Sequence, residues 1–120
     1  LMIADYFAPN KLGEQTVKQG SCVISYTGEP IIKVGGSYKT FSVKFFDSEG
    51  NKIAIDPQWK LTTVKPEYDG NFKTIIADNK IKIKADNVLA MIGDQVLLEV
   101  SDKTGTISAQ LFIKVVSLYG

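Results

Sequence analysis

The chain has 120 residues, 14 basic and 13 acidic side chains and a formal net charge of +1, so it holds one domain and carries no overall field that would steer it toward nucleic acid. Every basic residue is lysine, and arginine and histidine are both absent. The missing arginine removes the planar fork used to read phosphate and guanine, and the missing histidine removes the commonest metal ligand and the commonest general base.

Along the chain, Leu1-Met2-Ile3-Ala4-Asp5-Tyr6-Phe7 is apolar but has an acid inside the run and no basic start. It therefore does not read as a signal peptide. We expect it to be the end of a preceding domain, which would make the chain the C-terminal piece of a longer protein. Residues 8–20 are polar, contain Pro9, Gly13 and Gly20, and show no sustained period; they read as a linker. No apolar run approaches the ~18 residues of a membrane span.

The module is expected over residues 21–117, with 118–120 as a tail. Residues 22–27 alternate, putting Cys22, Ile24 and Tyr26 on one face. A lone cysteine cannot staple the fold, and with no histidine to activate it Cys22 reads as a small buried hydrophobe. The lack of a disulfide suits a reducing cytosol, although many bacterial surface modules also lack one. A short strand at 31–34 meets Gly35-Gly36, which turns the chain into a long strand over 38–46 with Phe41, Val43 and Phe45 inward. Asp47-Ser48-Glu49-Gly50-Asn51 reads as a turn. Trp59, Leu61 and Thr63 alternate in the next strand, and Trp59 is expected to plug the core where two sheets face each other.

Residues 66–79 look looser, with an apolar patch at 72–77. Residues 81–85 alternate cleanly. A corner at 87–93 leaves room for one helical turn over 87–91. Then come Val96, Leu98 and Val100, a turn at 102–105, and a last strand with Ile107, Ala109, Leu111, Ile113 and Val115 inward. Seven or eight short strands at this spacing predict an all-β, immunoglobulin-like Greek-key β-sandwich preceded by a flexible linker.

Immunoglobulin-type pairing would also define two outward faces. One shows Lys60, Thr62 and Val64, then Leu97 and Glu99, then Phe112 and Lys114. Leu97 and Phe112 would be exposed neighbours, readable as incidental surface or as a docking spot. The other face shows Lys44, Lys80, Lys82 and Lys84, joined by Lys73. This stripe reads either as protection against strand-to-strand aggregation or as a weak contact for anionic polymers. Only Phe46 could interleave an aromatic on it, which argues against base stacking on single-stranded nucleic acid.

Catalytic and metal chemistry find little support. Asp47, Glu49 and Asn51 resemble the start of a calcium loop, but Lys52-Ile53-Ala54-Ile55 follows where ligands are needed. Acids converging from separate loops remain the one route to a calcium site. Thirteen acids make some carboxylate pair inevitable, so a pair is no sign of glycoside chemistry. No catalytic, cofactor or metal residue is assigned.

A resemblance goes further than periodicity. Phe45-Phe46-Asp47 followed by Gly50, Trp59 followed by Leu61, Asn79-Lys80-Ile81-Lys82-Ile83-Lys84-Ala85, and Ile92-Gly93-Asp94 leading through Val96, Leu98, Val100 and Asp102 to Gly105 resemble the bacterial immunoglobulin-like (Big-type) domains. Such domains occur as repeats in surface adhesins and as decorations on phage structural proteins. More narrowly, Cys22-Val23-Ile24-Ser25-Tyr26-Thr27-Gly28-Glu29-Pro30 followed by residues 32–41 is similar to the C-terminal modules of head–tail, neck or tail proteins in tailed phages of Gram-positive bacteria. There a sequence like Ile3-Ala4-Asp5-Tyr6 closes a preceding β-rich domain.

The resemblance implies a non-enzymatic module on a virion, monomeric when isolated. Its expected partners are other domains or subunits of the particle and host cell-wall glycan, with no specific nucleic acid and no membrane. The alternatives are a spacer or adhesin module at the bacterial surface or secreted, and an accessory carbohydrate-binding domain of a cell-wall hydrolase.

Overall fold

In a computed structural model, residues 20–119 are described; the expectations for the preceding-domain remnant and most of the linker lie outside them. Among the described residues nine strands form: β1 (Ser21–Ser25), β2 (Ile31–Lys33), β3 (Lys39–Phe46), β4 (Lys52–Ile53), β5 (Gln58–Thr63), β6 (Phe72–Ala77), β7 (Lys80–Ala85), β8 (Gln95–Ser101) and β9 (Ser108–Val116). One sheet runs β1-β3-β7-β6, with β4 also paired to β3, and the other runs β2-β9-β8-β5. The result is an all-β, sandwich-like fold with its core between the two sheets.

Period-two patterning explains why these segments pair as they do, because successive side chains of a strand point to opposite faces. Phe41, Val43 and Phe45 of β3 are buried, as are Ile81, Ile83 and Ala85 of β7, Val96, Leu98 and Val100 of β8, and Ile113 and Val115 of β9. Phe41 lies opposite Ile81 in register, so one bulky inward residue meets another. The larger cluster gathers around Phe41, Ile83, Leu98 and Ile113, with Met91 among its members. A smaller one holds Val43, Phe45 and Val100. Ile24 and Trp59 pack against both. Each fully buried aliphatic or aromatic side chain is worth roughly 1.5–3 kcal/mol.

The turns use their own side chains. Asp47 accepts hydrogen bonds from the Glu49 and Asn51 N–H groups at 2.9 Å each, closing the loop that Gly50 completes at φ +88°. Asp102 does the same work in its loop, accepting from Ile107 N–H at 3.2 Å and Thr104 Oγ1 at 3.0 Å. A different turn joins the layers. After β2 pairs in parallel with β9, Val34 N–H still donates to Val116 O at 3.0 Å, whereas Gly35 N–H donates to Ala85 O in the other sheet at 3.0 Å. Gly35 has φ +69°, and a Cβ there would press on the Asn87 side chain at 3.2 Å, so the crossing needs glycine.

Four expectations need correction. Trp59 reaches both core clusters but is only half-buried, because β5 is an edge strand; Phe41, on a central strand, is the bulkiest fully buried side chain. Cys22 is likewise half-buried on the edge strand β1. Strand β1 ends at Ser25, leaving Tyr26 at the rim with its ring centroid 5.9 Å from that of Phe41. The looser region resolves into a 3₁₀ helix over Pro66–Asn71 and a regular strand, β6. The helical turn expected at the corner forms, as a 3₁₀ helix over Leu89–Met91.

Burial, and then the nearby negative charge of Asp102, push the Cys22 thiol pKa up. We expect a maleimide to label native Cys22 slowly at pH 8 and quickly in urea, since the thiolate is the reactive form. Equal rates in the two conditions would put the thiol fully in solvent and break the assigned register of β1.

Candidate functional site

The cross-strand register places the lysines. On the outer face of the first sheet, Ser42, Lys80 and Ala77 form one row, and Thr40, Lys82 and Ile75 the next. Lys84 lies opposite Lys73 in a third row. Lys44 sits on β3 beside Val23 of β1. Thus Lys80, Lys82 and Lys84 descend one strand about 7 Å apart, with Lys44 on the neighbouring strand, as the alternation implied. Lys44, Lys80 and Lys82 are exposed. Lys84 is half-buried, because its ammonium lies 5.7 Å above the centre of the Tyr38 ring. Tyr38 is therefore the aromatic beside the stripe that sequence reasoning missed.

Among the described residues ion pairing reaches one end of this stripe, while Asp56 and Asp78 line the same hollow as Lys44 at the other. Lys73 is ion-paired with Asp86 at 3.1 Å, and among the described residues the other ion pair joins Lys65 to Asp94 at 3.9 Å. The hydrogen bonds from Lys73 and Asn71, reinforced by the charges of Lys73 and Lys84, hold the Asp86 carboxyl below its ordinary range. For Asp47 the N–H of Asn51 is the main cause of the same shift. For Asp102, desolvation pushes upward but is outweighed by the loop hydrogen bonds, led by Ile107 N–H.

A carboxylate whose folded pKa is depressed stabilises the fold above its unfolded pKa, and that contribution fades as pH falls through the folded value. We expect stability to drop below about pH 4 and the drop to shrink in Asp47→Asn and Asp102→Asn. Melting temperatures followed from pH 6 to pH 2 check this, and an unchanged slope in both variants counts against it. The same hydrogen bonds commit both carboxylates to their own loops. Among the described residues no three His, Cys, Asp or Glu side chains gather as a metal site.

On the outer face of the second sheet, Thr62, Leu97 and Phe112 lie in one row, between Lys60-Glu99-Gln110 on one side and Gln95-Lys114 on the other. Phe112 is 58% exposed. Leu97 is half-buried rather than exposed, because Thr62 and Phe112 cover it from both flanks. The apolar spot is therefore centred on Phe112.

A third feature was not legible in the sequence. Between the edge strands β5 and β6 an open groove of about 470 Å³ is lined by Trp59, Leu61, Thr63, Phe72, Thr74 and Ile76. These are inward-facing positions that the edges leave partly uncovered. The Trp59 Nε1–H finds no protein acceptor there. The only hint in the sequence was the Phe72–Ala77 patch, whose run of apolar and polar residues fits either face.

Among the described residues no helix is long and apolar enough to cross a membrane. No protein-family model, curated protein or solved structure matches the chain.

Proposed function

We propose that the chain is a non-enzymatic immunoglobulin-like module of a phage virion structural protein, displayed on the particle for weak contact with an anionic polymer of the host surface. The observation that carries this reading is the lysine row: Lys44, Lys80 and Lys82 exposed together on one sheet face, with Lys84 held over Tyr38. A compact positive face of this kind attracts polyanions without shape-specific recognition. Teichoic acid is the polyanion such a virion would meet on a Gram-positive wall. Copies held side by side would convert weak single contacts into avidity.

The immunoglobulin-like Greek key is supported by the path of the chain. From β1 in the first sheet the chain crosses to β2, which pairs in parallel with β9 in the second; from β3 it passes to β5 in the second sheet, returns to β6 and β7, and passes again to β8 and β9. Virion origin rests on the resemblance over residues 22–41. Deleting residues 21–120 from the parent protein should leave particles assembling while adsorption slows, because a linker carries few contacts across a domain boundary. The chain itself should cosediment with purified Gram-positive cell walls and lose that ability once teichoic acids are stripped. Binding that persists on stripped walls points to neutral glycan and sinks the polyanion reading.

One observation favours a second reading. Phe112 stands exposed beside Leu97 on the opposite face, which suits docking against a neighbouring subunit or domain. In that case Leu97→Ser with Phe112→Ser blocks particle assembly with little dependence on salt.

A further inference from the structure

Strand β6 is the least protected sheet edge among the described residues. β2 has three residues next to Pro30, β5 carries Lys60 near its middle and Pro57 at its start, and β1 turns Ser21 and Ser25 outward around Val23. These are the usual guards of an edge: shortness, proline, lysine and small polar residues. β6 has none across its last four residues. Thr74, Ile75, Ile76 and Ala77 are all exposed, with Ile75 at 49% on the outer face and Ile76 at 56% on the groove side.

The backbone of this edge can be assigned as well. Asp86 N–H donates to Asn71 O at 2.8 Å, so these two residues form a hydrogen-bonded pair. Antiparallel pairs alternate, which assigns Lys73, Ile75 and Ala77 to hydrogen bonds with β7. Phe72, Thr74 and Ile76 then turn their N–H and C=O groups to the open side.

We propose that this edge pairs with the same edge of a second copy, antiparallel about a twofold axis at Thr74. A twofold contact demands a self-complementary surface, and β6 meets that demand. With Thr74 facing Thr74 of the second copy and Phe72 facing Ile76 of the second copy, all three free backbone units find partners, and the groove-side apolar residues cover one another. Shifting the axis by one position to Ile75 would instead oppose Phe72 to Asp78, which has left the strand at φ +55°.

Charge permits the pairing. Lys73 faces Ile75 of the second copy; the two Lys73 side chains become diagonal neighbours about 7–8 Å apart, each ion-paired with Asp86 of its own chain at 3.1 Å. The two Lys82 side chains stand three strand spacings across and two residues along, about 16 Å apart, beyond the ~8 Å screening length at physiological salt. Two six-residue edges bury less than the ~1,000 Å² of a stable interface, so the pairing is weak and transient. The chain is then a monomer in dilute solution and pairs where copies are crowded, as on an assembly.

Sedimentation velocity on the 120-residue chain, from about 10 µM to about 1 mM, should show the coefficient rising about 1.5-fold toward a dimer. Thr74→Pro should hold it at the monomer value: this N–H faces the open side, so its loss breaks no bond to β7. Ile75→Lys should do the same by meeting Lys73 of the second copy, and it serves where the proline variant fails to fold. In a Cys22→Ala background, Thr74→Cys should oxidise to a disulfide dimer, since Cα atoms of such a pair lie ~5.5 Å apart. Ile76→Cys should not, because the two Ile76 positions lie about 13 Å apart along the strands. Equal cross-linking of the two cysteine variants would overturn the proposal. So would a wild-type chain that stays monomeric at 1 mM, leaving the edge to a strand from a different protein.

Discussion

Phe41→Ala is expected to lower the stability of the domain by about 3–5 kcal/mol, the range for deleting a buried aromatic ring and leaving its cavity. Phe41 has no exposed surface, sits on a central strand opposite Ile81, and has neighbours in both sheets through the larger core cluster. Collapse around it is restricted, because the backbones of β1 and β7 hold β3 on both sides. A domain of this size has a total stability of about 5–15 kcal/mol, so the variant stands close to unfolding. Trp59→Ala should cost less, near 2 kcal/mol, because the indole is half-buried at an open groove. Trp59→Phe removes the N–H that has no protein acceptor and should come close to neutral. Urea melts of the three variants, compared by midpoint at constant slope, decide this. If Trp59→Ala proves more damaging than Phe41→Ala, the core is centred on the tryptophan after all.

The second large effect concerns binding. Replacing Lys44, Lys80, Lys82 and Lys84 together with Gln should weaken attachment to teichoic-acid-bearing walls roughly thirtyfold. Exposed ion pairs contribute about 0.5 kcal/mol each, and four of them sum to about 2 kcal/mol, which corresponds to that factor. Wild-type binding should fall as salt rises from 50 to 500 mM, because exposed charges are screened within ~10 Å at 0.1 M. The quadruple variant should lose most of this salt dependence while its melting temperature stays close to that of the wild type, since three of the four side chains are exposed. Lys84→Gln carries an additional signature: losing the ammonium above the Tyr38 ring forfeits about 0.5–1 kcal/mol of local attraction. Binding that survives all four replacements would exclude this face and shift attention to Phe112.

Much of this molecule is legible from local pattern alone. Phe41-Val43-Phe45, Ile81-Ile83-Ala85, Val96-Leu98-Val100 and Ile113-Val115 announce their inward faces, because a period of two leaves no choice once one side must be dry. The outward lysines follow from the same alternation. The turns at Asp47–Asn51 and Asp102–Gly105 are local too, since each is closed by its own aspartate and glycine.

Alternation records which face a residue takes, but not which strand lies beside it. Only the assembled sheets determine that β5 and β6 are edges, so only they determine that Trp59 is half-covered, that Ile75 and Ile76 face solvent, and that a groove opens between them. Leu97 depends in the same way on Thr62 and Phe112, and Lys84 on Tyr38. Burial at the centre of a sheet is set by a residue's own strand. At the margins it is set by whichever neighbour the topology supplies or withholds.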